Sequence, residues 1–149
     1  MERQDPKRAI EILKAATPME LGDLLIPEYM RGQACLMLHD GKGAAAEFQK
    51  FIDQWGKVGN FPLGALARFG LARAYSLQAG VPVAAVSDRR KGAAISDHRK
   101  ADGAQRTPLQ SEALAKGRAA YQDFLSIWKD ADPDIPVLKQ ARAEYARLQ

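Results

Sequence analysis

The stretch Ala44-Ala45-Ala46-Glu47-Phe48-Gln49-Lys50-Phe51-Ile52-Asp53-Gln54-Trp55 decides the fold, because it comes back. Seventy-three positions later the chain reads Gly117-Arg118-Ala119-Ala120-Tyr121-Gln122-Asp123-Phe124-Leu125-Ser126-Ile127-Trp128. Ala46/Ala119, Gln49/Gln122, Phe51/Phe124 and Trp55/Trp128 are identical, and Phe48/Tyr121 and Ile52/Leu125 are close in kind. Ala9, Leu13 and Ala16 form a weaker copy, 35 positions before Ala44, Phe48 and Phe51. The preceding segment repeats too: Gly32-Gln33-Ala34-Cys35-Leu36-Met37 corresponds to Ala72-Arg73-Ala74-Tyr75-Ser76-Leu77, 40 positions on. A self-similar period of this length marks helical hairpins that bury their apolar faces only by stacking on one another.

Punctuation between the copies supports an all-α chain. Asp5-Pro6 opens a first helix, since Asp can satisfy free N–H groups and Pro suits the first turn; Thr17-Pro18 ends it. Pro27 starts a second helix that runs to about Leu38, and His39-Asp40-Gly41-Lys42-Gly43 is a turn whose glycines can take positive φ. A third helix covers about Ala44 to Trp55, with Gly56 at its end. Asn60-Phe61-Pro62 opens a fourth, which runs to about Gln78. A fifth covers about Glu112 to Lys129. After Asp130-Ala131-Asp132-Pro133-Asp134, a last helix over Ile135–Leu148 presents Val137, Leu138, Ala141, Tyr145 and Leu148 as a capping face. No segment alternates apolar and polar residues as a half-buried strand would.

Between the fourth and fifth helices the period fails. The offset grows from 40 to 73, so residues 79–111 read as an insert in what would otherwise be a short turn. Gly, Ala, Ser and Asp dominate it, and only Val81, Val83, Val86, Ile95 and Leu109 could be buried. So little apolar area does not offset the ordering entropy of a long segment, and the insert is expected to be flexible. The 149 residues are expected to form a single domain around it.

Charge and composition narrow the classes of function. Lys and Arg outnumber Asp and Glu by one over residues 1–78 and by three over 79–116, and the two balance over 117–149. The excess is thus local, and nucleic acid is not the expected partner. Arg89, Arg90, Lys91, Arg99, Lys100 and Arg106 could attract an anionic partner or nucleic acid through the insert, but no aromatic residue lies among them to stack a base. That is the alternative reading. The single cysteine, Cys35, excludes an intrachain disulfide. Cys35 and His39 stand four apart on one helix but lack the further ligands a metal would need, so neither metal nor cofactor is expected. His98 has no nucleophile on a matched element, Gly41-Lys42-Gly43 lacks the spacing of a phosphate loop, and an enzyme is not expected. No apolar run reaches the length of a membrane span, and the charged N-terminus leads straight into a helix, so a cytoplasmic location is expected.

Small-x-x-aromatic spacing on paired helices near a period of about 34 resembles the tetratricopeptide repeat. Arg31-Gly32-x-x-Cys35 and Leu71-Ala72-x-x-Tyr75 occupy its Leu-Gly-x-x-Tyr places, and Ala44…Phe48…Phe51 and Gly117…Tyr121…Phe124 its Ala…Phe…Ala places. Arg31, Cys35, Gly117 and the third-place Phe depart from the pattern. Ala44–Phe51, Pro62–Tyr75, Arg118–Phe124 and Ile127–Pro136 with Ala143-Glu144-Tyr145-Ala146 are similar to the C-terminal repeat segments of bacterial eukaryotic-like serine/threonine kinases and winged-helix transcriptional regulators. The resemblance implies a helical-hairpin solenoid of about two and a half repeats plus a capping helix, and either a C-terminal part of a larger regulator or a degenerate stand-alone form of one. Three repeats are the usual minimum for stability, so marginal stability or self-association is expected.

The resemblance also implies a function without chemistry: a scaffold whose concave groove, lined by the first helix of each hairpin, holds a peptide or helix of a partner protein. Mapped residue by residue, the groove comprises Tyr29, Gln33, Leu36 and Met37, then Phe69, Arg73, Ser76 and Leu77. Leu36 and Leu77 suit the core better. Gln33, Met37, Phe69 and Arg73 carry the contact chemistry: a soft apolar platform, a hydrogen-bonding amide and a cation for a carboxylate.

Overall fold

The computed structural model describes residues 5–15, 25–54, 62–83 and 107–149. All regular structure among them is helical: α1 (Pro6–Lys14), α2 (Ile26–Met37), α3 (Gly41–Asp53), α4 (Leu63–Gln78), α5 (Pro108–Ile127) and α6 (Pro136–Ala146). Each helix packs on its neighbour in the chain, and α2 also packs on α4.

Local chemistry sets the helix ends. Asp5 accepts hydrogen bonds from the backbone N–H groups of Lys7 and Arg8 at 3.1 and 3.2 Å, and Pro6 opens α1. Asp40 does the same for α3 by accepting from Gly43 N–H at 2.9 Å. The turn expected at 39–43 is therefore shorter, and α3 begins at Gly41 rather than Ala44. The positive φ belongs to His39 (57°), not to the glycines. Asp40 N–H then reaches back to the Cys35 carbonyl and His39 N–H to that of Leu36, which satisfies the last carbonyls of α2. At the end of α4, Gly80 (φ 75°) plays the part of His39: Val81 N–H bonds the Ser76 carbonyl and Gly80 N–H that of Leu77.

The expected insert also contracts at both ends. Ala79 is buried and Val81 half-buried against the core. Helix α5 starts at Pro108 rather than Glu112 because Thr107 and Gln110 form a reciprocal capping box. Leu109 is on that helix and exposed. Val86, Ile95, His98 and the basic residues 89–106 lie outside the described residues, as do Thr17-Pro18, Trp55 and Gly56.

The sequence repeat is also a packing repeat. Phe48, Phe51, Tyr121 and Phe124 are all fully buried. Tyr29 of α2 meets Phe48 and Phe51 edge-on, with centroids 5.7 and 6.1 Å apart. Forty positions on, Phe69 of α4 meets Tyr121 and Phe124 at 6.0 and 5.2 Å. Hairpins α2–α3 and α4–α5 thus each carry an aromatic triad of the same make, two rings from the second helix against one from the first. Close approach of α2 and α4 around the Phe48 ring requires glycine: a Cβ at Gly32 or Gly70 would stand 2.8 or 2.5 Å from its carbons. Arg31, the departure at a leucine place, donates to the Leu13 carbonyl at 3.1 Å and pairs with Glu47 at 3.0 Å. It thereby ties the C-terminal end of α1 to α3.

Candidate interaction face

The six residues proposed for the groove divide into two groups. Tyr29, Gln33 and Met37 on α2 are half-buried. The Gln33 amide donates to the Tyr29 hydroxyl at 3.0 Å, and burial raises the Tyr29 phenol above its ordinary value, opposed by that bond and by the charge of Arg73. Gln33 Oε1 is buried without a hydrogen-bond partner.

Phe69, Arg73 and Ser76 on α4 are not open to a ligand: they are 6%, 5% and 1% exposed. Phe69 belongs to the aromatic triad. Arg73 lies over its ring, 5.4 Å from the centroid, and its Nε is 3.3 Å from Glu144 Oε2 of α6. Ser76 Oγ donates to the Ala72 carbonyl at 2.9 Å. The expectation of exposed contact residues on α4 is therefore corrected, because α5 and the capping helix α6 cover that surface.

Two further residues complete this buried polar cluster. Glu144 is 4% exposed; it accepts from the Tyr121 hydroxyl at 2.8 Å and from the Gln140 amide at 3.0 Å. Burial, then the Glu144 charge, then their hydrogen bond push the Tyr121 phenol far above its ordinary value. A buried carboxylate is tolerable only with such a set of partners. The signal was in the sequence: Leu138, Ala141 and Glu144 share one face of α6, Leu148 follows just beyond its end, and a charge within an apolar stripe demands a counter-charge elsewhere.

What remains open on α2 is a row at i, i+4, i+7 and i+11: Ile26, Met30, Gln33 and Met37, which fall on one helix face. Ile26 is 41% and Met30 49% exposed, although α2 is otherwise largely buried. Sequence reading passed over both, since neither falls on a groove position of the repeat resemblance. Cys35 is buried, its thiol raised chiefly by that burial, while His39 is exposed. Among the described residues, no group of three His, Cys, Asp or Glu side chains could hold a metal ion. Among them, too, no helix is long and apolar enough to cross a membrane.

Compared with protein-family models, curated proteins and solved structures, the chain finds no match.

Proposed function

We propose that this chain is a non-catalytic, tetratricopeptide-like scaffold that holds an apolar peptide or helix of a partner protein along the α2 row Ile26, Met30, Gln33 and Met37. The observation that carries the reading is the exposure of Ile26 and Met30, two large apolar side chains on one face of a helix that is otherwise largely buried. Methionines suit the task because a flexible thioether repacks against varied ligands. Tyr29, half-buried beside Gln33, extends the platform.

Selection from a displayed peptide library tests the reading. Peptides enriched on the wild-type chain should carry apolar side chains at helical or alternating spacing. Met30→Asp with Ile26→Asp should weaken them at least about tenfold at unchanged helicity, since both exposed apolar anchors are lost. Their affinity should change little with salt. Peptides indifferent to that double variant but lost on deletion of residues 89–106, with steep salt dependence, would transfer the function to the basic insert.

A further inference from the structure

The cluster on α4, α5 and α6 is more specific than a terminal cap requires. A cap needs only a polar outer face and an apolar inner one. Helix α6 instead buries Glu144 against Arg73 and Tyr121, between Leu138 and Ala141 on one side and Leu148 on the other. Its C-terminal end is held by a second directional contact: Arg118 of α5 donates through Nε to the Leu148 carbonyl at 2.6 Å and through Nη2 to that of Gln149 at 3.4 Å. Gln122 of α5 donates to the Tyr145 hydroxyl at 2.8 Å. These contacts accept one helix, in one register and one direction.

The same helix is lightly held otherwise. Only Leu138, Ala141 and Glu144 within α6 are buried, and its interface with α5 is the sparsest of those between consecutive helices. An eleven-residue helix is too short to persist alone in water, so α6 owes its order to this seat. When α6 leaves, Arg73 and Tyr121 lose their partner carboxylate beneath an uncovered aromatic triad, a state that favours refilling over remaining open.

We propose that the α4–α5 seat is an exchange site through which two copies of this chain trade their α6 helices, Glu144 of each copy pairing with Arg73 of the other. The occupant follows from the chemistry in place: α6 supplies the matched apolar residues, the carboxylate and the C-terminal carbonyls, and a second copy supplies them identically. Trading an identical element is a low-cost route to a symmetric dimer, since every contact of the closed monomer is kept. The surface is separate from the α2 row, so the two readings fail independently.

Charge exchange between copies tests it. The full chain carrying Arg73→Glu and the full chain carrying Glu144→Arg each place like charges together and should lose helicity. Mixed and refolded, they can form a reciprocal dimer with one native and one inverted pair. Native mass spectrometry should show a one-to-one heterodimer with recovered helicity. The chain carrying both substitutions, helical on its own, fixes the reference for an inverted pair. Separate unrecovered species in the mixture, beside a helical double variant, would overturn the proposal.

A second arm decides the matter if the double variant does not fold. A labelled synthetic peptide of residues 131–149 should bind the wild-type chain, and the same peptide with Glu144→Lys should bind about a hundredfold more weakly or worse. No binding, or equal binding by both peptides, would overturn it. So would equal binding by an unrelated acidic amphipathic helix, which would make the seat a general acidic-helix receptor. Met30→Asp should leave the exchange unchanged.

Discussion

Gly70 and Gly117 both occupy helix interiors, yet they answer to different constraints. A Cβ at Gly70 would enter the Phe48 ring at 2.5 Å, whereas one at Gly117 would meet Tyr75 Cβ at 3.5 Å, an ordinary contact. Gly70→Ala should therefore destabilise the chain by about 1–3 kcal/mol through overpacking, even after the gain in helix propensity. Gly117→Ala should stabilise it by up to about 1 kcal/mol. Urea unfolding of the two variants checks both signs, and Phe48→Leu should recover part of the Gly70→Ala loss. Tyr121 gives a prediction in pH. Its phenol is raised in the folded chain, as are those of Tyr29 and the Cys35 thiol, so the folded state keeps protons that the unfolded chain gives up. Stability should hold below the ordinary value of 9.0 for Cys and fall as pH rises through and above 10.0, the ordinary value for Tyr. Tyr121→Phe should cost about 1–3 kcal/mol at neutral pH, by removing a donor from buried Glu144, and should flatten the alkaline decline. Urea midpoints between pH 7 and 11 measure both effects.

At the scale of the element, helix ends departed most from expectation. Composition places Ser111 in a loop, but a Thr-Pro-x-Gln start at Thr107 carries α5 back through Pro108. Thr107→Ala should cost about 1 kcal/mol, as loss of an N-cap does. The same detail redefines what is dispensable between α4 and α5. Residues 79–83 close α4 and touch the core, and 107–111 belong to α5. Replacing residues 85–105 by a short Gly/Asp turn should leave stability within about 0.6 kcal/mol per halving of loop length, because closure entropy depends only weakly on length. Extending the deletion to 79–111 should unfold the chain, and circular dichroism with thermal melts separates the two outcomes.

At the scale of the whole molecule, contacts run chiefly between consecutive helices, and the fully buried aromatic residues among those described lie in α3 and α5, on either side of α4. No residue of α1 is fully buried, and Ile12 is exposed on it. Stability in such a nearest-neighbour assembly is a sum of local terms, so it should decline toward the ends. Amide hydrogen exchange should show the greatest protection in α3, α4 and α5, less in α6 and least in α1. Uniform protection along the chain would instead indicate a single cooperative core.

The helical class, the pairing of hairpins and the aromatic core were legible in the repeated spacings Ala44-x-x-x-Phe48 and Gly117-x-x-x-Tyr121, because periodic apolar residues bury one face whatever their neighbours are. The buried fate of Phe69, Arg73 and Ser76 was not legible in the same way. Register along a helix says which face a residue occupies, but not what later segment will cover that face. Arg73 reads as a ligand-binding cation until Glu144, 71 positions away, arrives on α6 to neutralise it. Ile26 and Met30 show the converse: ordinary core residues by type, they are exposed because no described helix lies over them. Periodicity determined the elements and their apolar faces. Only the tertiary structure decided which faces are spent on the chain itself, since burial depends on contacts between residues far apart in sequence.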